Sequence, residues 1–442
     1  MLLSGLRRRV MLGILSLVTL LLLATLGTTA TTTLQVMDWK LNETPGTQAW
    51  FQQVKETFEA EHPGVEIEYI TAPWGDVYRE KILVSAAVGA VPDAVSLSVI
   101  WARELWDAGV LRNLNPYIDR TPELHPRNFI PATQVYNQID GNVFGITNAM
   151  DVSALLYNCD IFVESGLDTD PFAIESWDEL AAVLKKLTVV DSSGRTTRYG
   201  LAMSIGLEAY SSWLNANGGS FYKDNYTRSA FGSQQGLQAA EFILSLHRQG
   251  LLGGSLPQRT AAMSRGQNST AYFLVKDAPG LNYNITSFPK GPSGKQRGAT
   301  VWGNMYSIPK DSKNPELAWE FIKYYASLRG NIDIFESLGY VTSPRLDFYR
   351  SRQWVQGRTE APWMPMIPEI AYVGGVYPFL EYNKLVQQVW NPVYVSRSYG
   401  VGGHSGCLCP RECCLRSYFI GDGQVRLLRS RGCPKRSAPR LF

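Results

Sequence analysis

The sequence predicts an α/β chain in which strands alternate with helices around mostly parallel sheets. Three observations carry this. Short apolar runs such as Leu34 to Met37 and Ala154 to Tyr157 have the length and polar flanks of buried strands. Segments between such runs place apolar residues at helical spacing, as Trp50, Val54 and Phe58 do. At 442 residues the chain also exceeds what one hydrophobic core serves, so two lobes are expected.

Leu34-Gln35-Val36-Met37 is the first strand and ends at Asp38-Trp39. The helix carrying Trp50, Val54 and Phe58 stops at His62-Pro63-Gly64, where proline and glycine break it. Val65, Ile67 and Tyr69 then alternate with Glu66 and Glu68 in a half-buried strand. A helix from about Asp76 to Ala90 leads to a third strand, Ala94 to Val99. Trp101 to Gly109 forms a short helix with Leu105 and Trp106 inward. Sheets of this kind bind ligands beyond the carboxyl ends of their strands. Asp38-Trp39, the loop at Trp74 and the stretch from Ser98 to Trp101 therefore fall at one mouth.

The stretch from Phe144 to Leu187 organises the middle of the chain. It opens with FGITNAMDVSALLYNCDIF, which carries Asp151 ahead of an apolar strand, and turns at Gly166-Leu167-Asp168. Ser176 and Glu179 then form a capping box for a helix with Leu180, Val183, Leu184 and Leu187 on one face. Tyr199 to Met203 is a strand; Glu208, Tyr210 and Trp213 follow, before a turn at Asn217-Gly218-Gly219. Ala239 to Leu246 is an amphipathic helix, and Tyr283 to Phe288 closes this part. The run VWGNMYSIPKDSKNPELAWEFIKYYAS, 301–327, gives a strand and then a helix entered through Asn314 and Pro315.

A strand ending ALLYNCD, a Gly-Leu-Asp turn, a capped SWDEL helix and the later Trp-Gly-Asn strand together resemble the extracellular solute-binding proteins of ABC importers. The resemblance is to the sugar-binding group that includes maltose-binding protein, and it covers roughly 34–395. It implies a two-lobed periplasmic-binding-protein fold whose chain crosses the hinge several times. The expected organisation is one lobe from 31–149 and 303–345, and a second from 150–302 and 346–395. A third crossing would fall near Val341 to Phe348, with Tyr372 to Val395 supplying the last helices of the second lobe.

The ends suggest a compartment. Arg7, Arg8 and Arg9 precede an apolar run from Val10 to Leu26, and Thr28-Thr29-Ala30 offers a small-residue cleavage site. This is the layout of a secretory signal peptide over 1–30, and it predicts a periplasmic or extracellular protein. The formal charge of +3 conceals a mildly acidic body, because 397–442 hold nine Lys and Arg against two acids. Without that tail and the leader, 30 basic residues face 37 acidic ones, which argues against nucleic acid as a partner. Cys159 is the only cysteine before residue 400. From 396 to 442 Gly, Cys and Arg accumulate without apolar period, so this tail is expected to be disordered or out of frame. Its Cys407-x-Cys409 and Cys413-Cys414 lack the spacing of a structural zinc site.

Catalysis is poorly supported, since no G-x-S-x-G, H-E-x-x-H or phosphate-binding loop occurs. No cofactor or metal is expected. A sugar site needs apolar walls for C–H patches and a few placed carboxylates and amides for hydroxyls. Asp151 matches the position of a ligand-bonding acid in the maltose-binding relatives, where that acid is Glu. Trp302, with Asn304 beside it, matches a residue that often faces the cleft. Trp74, Trp101 and Asp38 are candidates by the strand-end argument, and Tyr210 and Trp213 fall where relatives place a second-lobe aromatic contact. The resemblance therefore implies a monomeric receptor that captures a di- or oligosaccharide and delivers it to the permease subunits of an ABC importer. Two other readings stand beside it: a secreted carbohydrate-active enzyme, and a receptor for a glycerol phosphodiester or polyamine.

Overall fold

The computed structural model describes residues 31–376, apart from 224–227, 231, 339–342, 358–360 and 362. The expected leader (1–30), the end of the expected second lobe (377–395) and the tail (396–442) lie outside the described residues, as does part of the third crossing.

Ten strands share one sheet. They are β1 (Thr32–Met37), β2 (Val65–Ile70), β3 (Ala94–Ser98), β4 (Ile146–Asn158), β5 (Val189–Val190), β6 (Thr196–Ala202), β7 (Ala261–Gln267), β8 (Tyr283–Thr286), β9 (Ala299–Ser307) and β10 (Gly374–Val376). Their order is β2-β1-β3-β9-β4-β7-β6-β5, with β8 also on β4 and β10 on β9. The mostly parallel sheet expected from the sequence is in fact mixed. β1 runs parallel to β2 and β3, β6 to β7, and β9 to β10. β9 is antiparallel to β3 and β4, β4 is antiparallel to β7 and β8, and β5 is antiparallel to β6. A crossover helix returns the chain in the same sense and keeps strands parallel. The long central strands β4 and β9 are not joined to their neighbours by such units. A second difference lies at Gly374–Val376, a strand where helix is expected.

Helices α1 (Pro45–Glu61), α2 (Asp76–Ala87), α3 (Val99–Asp107), α4 (Trp177–Leu187), α5 (Leu207–Ala216), α6 (Gln234–Arg248), α7 (Asn268–Asp277) and α8 (Pro315–Ala326) cover the sheet. Local chemistry sets their starts. Thr44 and Thr47 cap α1 reciprocally with Pro45 in its first turn, and Ser176 and Glu179 do so for α4. Each such cap contributes about 1 kcal/mol. α1 buries Trp50, Phe51, Val54 and Phe58, the face that its spacing predicts.

The alternation of side chains along β4 divides the interior. Met150, Val152, Ala154 and Leu156 join the largest cluster, together with Trp50 and Phe58 of α1 and Phe321 of α8. Leu155 and Tyr157 point the other way into a second cluster with Trp177, Leu184, Trp213 and Ile243. A third cluster gathers Met37, Trp39, Tyr78, Trp101 and Met305. Ala149, Asp151, Trp302 and Asn304 remain partly exposed at the centre of the sheet.

Helix α5 is tied to that centre by buried hydroxyls. The Thr300 hydroxyl lies 2.9 Å from that of Ser211 and 3.1 Å from that of Ser212, and Ser212 donates to Ser153 at 2.8 Å. The Thr300 N–H also donates to the Ser153 hydroxyl, at 2.6 Å. Thr300→Val would remove the bonds to both serines from a buried site. Urea unfolding should show a loss of about 1–3 kcal/mol.

Candidate functional site

On the ladder between β4 and β9, Asp151 stands opposite Trp302 and Ala149 opposite Asn304. Asn304 is flanked on its other side by Ser98, the last residue of β3. Residues two apart on a strand share a face, so Ala149, Asp151, Trp302 and Asn304 form one patch. Gly303 lies between the last two. A Cβ there would sit 2.7 Å from the Ala149 carbonyl oxygen, beside the register shift between Asn304 and Met305. Only glycine lets β9 press this closely on β4.

Lys40 reaches the patch from the helical turn Trp39–Asn42 that follows β1. Its Nζ donates to the Asn304 amide oxygen at 3.0 Å, in the amide orientation that the surroundings require. It also lies 6.0 Å from the centre of the Trp39 ring. Asp38 caps this turn and is not on the patch. Its side chain is 1% exposed, one carboxylate oxygen accepts from the Lys40 N–H at 2.8 Å, and the other accepts from the Tyr306 hydroxyl at 2.5 Å.

Asp151 is half-buried, and its Oδ1 is shielded from solvent without a hydrogen-bond partner. Burial pushes its carboxyl up to about 6. The Ser269 hydroxyl, the Lys40 charge, the Ser269 N–H and the Arg265 charge all pull in the opposite direction. Ser269 belongs to the first turn of α7, whose partial positive end favours an anion. Arg265, on β7, pairs with Glu208 of α5 at 3.4 Å. Glu208 is well exposed, so this pair contributes about 0–1 kcal/mol.

The tryptophans divide by exposure. Trp101 is 2% exposed and packs 5.8 Å from Tyr78, 5.7 Å from Trp39 and 5.6 Å from Trp74. Trp74 is 58% exposed and covers this aromatic group with its other face open. Trp302 is half-buried and packs against the same third cluster. Trp74 and Trp302 are thus the partly exposed tryptophans here, while Trp101 supports Trp74 from beneath.

The structure places Tyr210 and Trp213 in the second cluster, at 1% and 0% exposure. The Tyr210 hydroxyl donates to the Gly236 carbonyl at 3.0 Å, and Trp213 packs edge-on against Phe288 at 4.8 Å. The reason lies in the phase of α5. Glu208, Ser211, Ser212 and Asn215 recur at positions i, i+3, i+4 and i+7 and form the polar stripe that meets Arg265, β4 and β9. Tyr210 and Trp213 fall on the opposite side. That stripe is readable in the sequence and could have identified Glu208. Lys40 lies two residues beyond the named Asp38, but Arg265 and Ser269 carry no local signal. They reach Asp151 only through the pairing of β7 with β4. Among the described residues, no three His, Cys, Asp or Glu side chains gather as metal ligands. No helix among them is long and apolar enough to cross a membrane.

Two solved structures of similar architecture are described as sugar-binding proteins. The sugar-binding protein MalE of Xanthomonas citri superposes with a TM-score of 0.70 at 18% identity, covering 84% of this chain and 93% of its own. The cyclic alpha-maltosyl-1,6-maltose binding protein of Arthrobacter globiformis gives 0.70 at 17% identity, covering 84% and 95%. At such identities the likeness defines the fold, that of periplasmic binding proteins. A binding protein of Brucella abortus is 23% identical over 368 residues, 79% of this chain and 86% of its own length. Residues 42–331, well over half of the chain, match the family described as bacterial extracellular solute-binding protein, and the chain belongs to it. It is therefore a substrate-binding protein of ABC transport, a family of receptors rather than enzymes.

Proposed function

We propose that this chain is an exported, monomeric receptor that holds an oligosaccharide on the Asp151, Trp302 and Asn304 face and presents it to a membrane permease. The carrying observation is the register pair of Asp151 and Trp302, with the Asn304 amide and the Lys40 amine beside it. A carboxylate, an amide and an amine serve hydroxyls, and an indole face covers sugar C–H groups. Trp302 packs against the third cluster, and we assign the second and third clusters to two different lobes. On this reading one lobe would comprise 31–149 and 303–345 and the other 150–302 and 346–376 of the described residues, with β4 and β9 the crossings where a hinge would bend. Lys40 and Arg265 bring two cations to the face, but Asp151 and Glu208 balance them. That balance suits a neutral sugar better than a phosphodiester.

Titrating the mature protein with maltotriose, mannotriose and other oligosaccharides should change tryptophan fluorescence with saturation and leave each sugar intact by chromatography. Shortened sugars would instead support the carbohydrate-active enzyme. A chain that responds to glycerol phosphodiesters or polyamines but to no sugar would overturn the carbohydrate reading.

A further inference from the structure

We propose that Asp38 is a positioning residue, which holds the Lys40 amine on the ligand face by tying the turn Trp39–Asn42 to β9. This rests on the reading of that face as the ligand site. The tie has two halves. Asp38 Oδ1 caps the turn through the Lys40 N–H, and Oδ2 accepts from the hydroxyl of Tyr306, two residues beyond Asn304 on the same strand. Tyr306 is itself immobilised. It is fully buried, with Phe321 5.4 Å and Tyr325 4.9 Å from its ring. The Asp38 N–H donates to the Ile70 carbonyl at 3.0 Å, which fixes the residue from β2 as well.

Lys40 is thereby held at both ends. Its backbone hangs on Asp38, its amine reaches Asn304, and Asn304 and Tyr306 belong to one rigid strand. A flexible lysine side chain otherwise loses considerable rotamer freedom when it is fixed. Fixing its backbone beforehand removes part of that cost from the binding step. Burial raises the Asp38 carboxyl above the ordinary range, against the pull of the Lys40 charge and the Tyr306 hydroxyl. The fold thus holds a desolvated acid at this position, where an apolar residue would leave the Tyr306 hydroxyl and the Lys40 N–H without their acceptor.

The test needs no ligand. The ligand-free protein would be treated with limiting acetic anhydride, and the acetylation rate of each lysine read by mass spectrometry. Lys55 and Lys290 serve as internal references for general loosening. Asp38→Ala should raise the Lys40 rate relative to these references by about tenfold, the equivalent of one lost hydrogen bond. Asp38→Asn, which keeps an oxygen for the Lys40 N–H, should stay within about twofold of the wild type because the cap survives. Tyr306→Phe, which keeps the ring and loses the tie, should fall between them and carries the test alone if Asp38→Ala does not fold. Lys40 rates that track the references in both Asp38→Ala and Tyr306→Phe would overturn the proposal. Failure of every sugar to bind would leave these rates unchanged and would count against the ligand site alone.

Discussion

Asp151→Asn should lower oligosaccharide affinity by about ten- to a hundredfold, because a hydrogen bond to a charged acceptor contributes roughly 1.5–3 kcal/mol. The same change should stabilise the protein at neutral pH. Burial raises the Asp151 carboxyl to about 6, above the value of an unfolded aspartate. Its contribution to stability is therefore complete below pH of about 4 and is lost as pH rises through about 6. The shift corresponds to roughly 3 kcal/mol of strain carried by the ionised wild type. The difference in unfolding free energy between variant and wild type should accordingly widen between about pH 4 and 7, in favour of the amide. Urea melts across that range, together with sugar titrations at pH 7.5, would check both halves. An unaltered affinity with a lowered melting temperature would reassign Asp151 to the scaffold. A carboxylate that weakens the fold in this way is what the proposed ligand site would impose.

Trp213→Ala should have the opposite profile. Trp213 is fully buried between Trp177, Phe242 and Phe288, and its indole N–H faces the Met203 sulfur at 3.4 Å. Removing it would leave a cavity and cost about 3–5 kcal/mol. Trp213→Phe should retain most of that packing and bind sugar as the wild type does. A Phe variant of normal stability that loses affinity would return Trp213 to the site. The comparison separates core from contact among aromatic residues that look alike in the sequence.

Secondary structure was legible wherever one element buries a single face. Trp50, Val54 and Phe58 declare α1, the Ser176 and Glu179 pair declares the start of α4, and Val65, Ile67 and Tyr69 declare β2. Local propensity and side-chain period act within a few residues, so the sequence determines them without help from the rest of the chain. The same reach explains why Asp151, Trp302 and Asn304 could be placed on strands: each sits in a run whose strand character is local.

Tertiary structure decided what those residues meet. Asp38 and Trp74 both follow strands at one end of the sheet, yet Asp38 is enclosed beneath Lys40 and Tyr306 while Trp74 stands open. Arg265 and Ser269 come to Asp151 across a separation of more than a hundred residues, through antiparallel pairing that no local pattern announces. Tyr210 and Trp213 turned inward because a polar stripe on the same helix had the stronger claim on the buried hydroxyls of β4 and β9. Exposure and partnership are properties of the packed whole. Strands remote in sequence must pair before a side chain has a face to line or a core to fill, and that is the part of this site that the sequence alone left open.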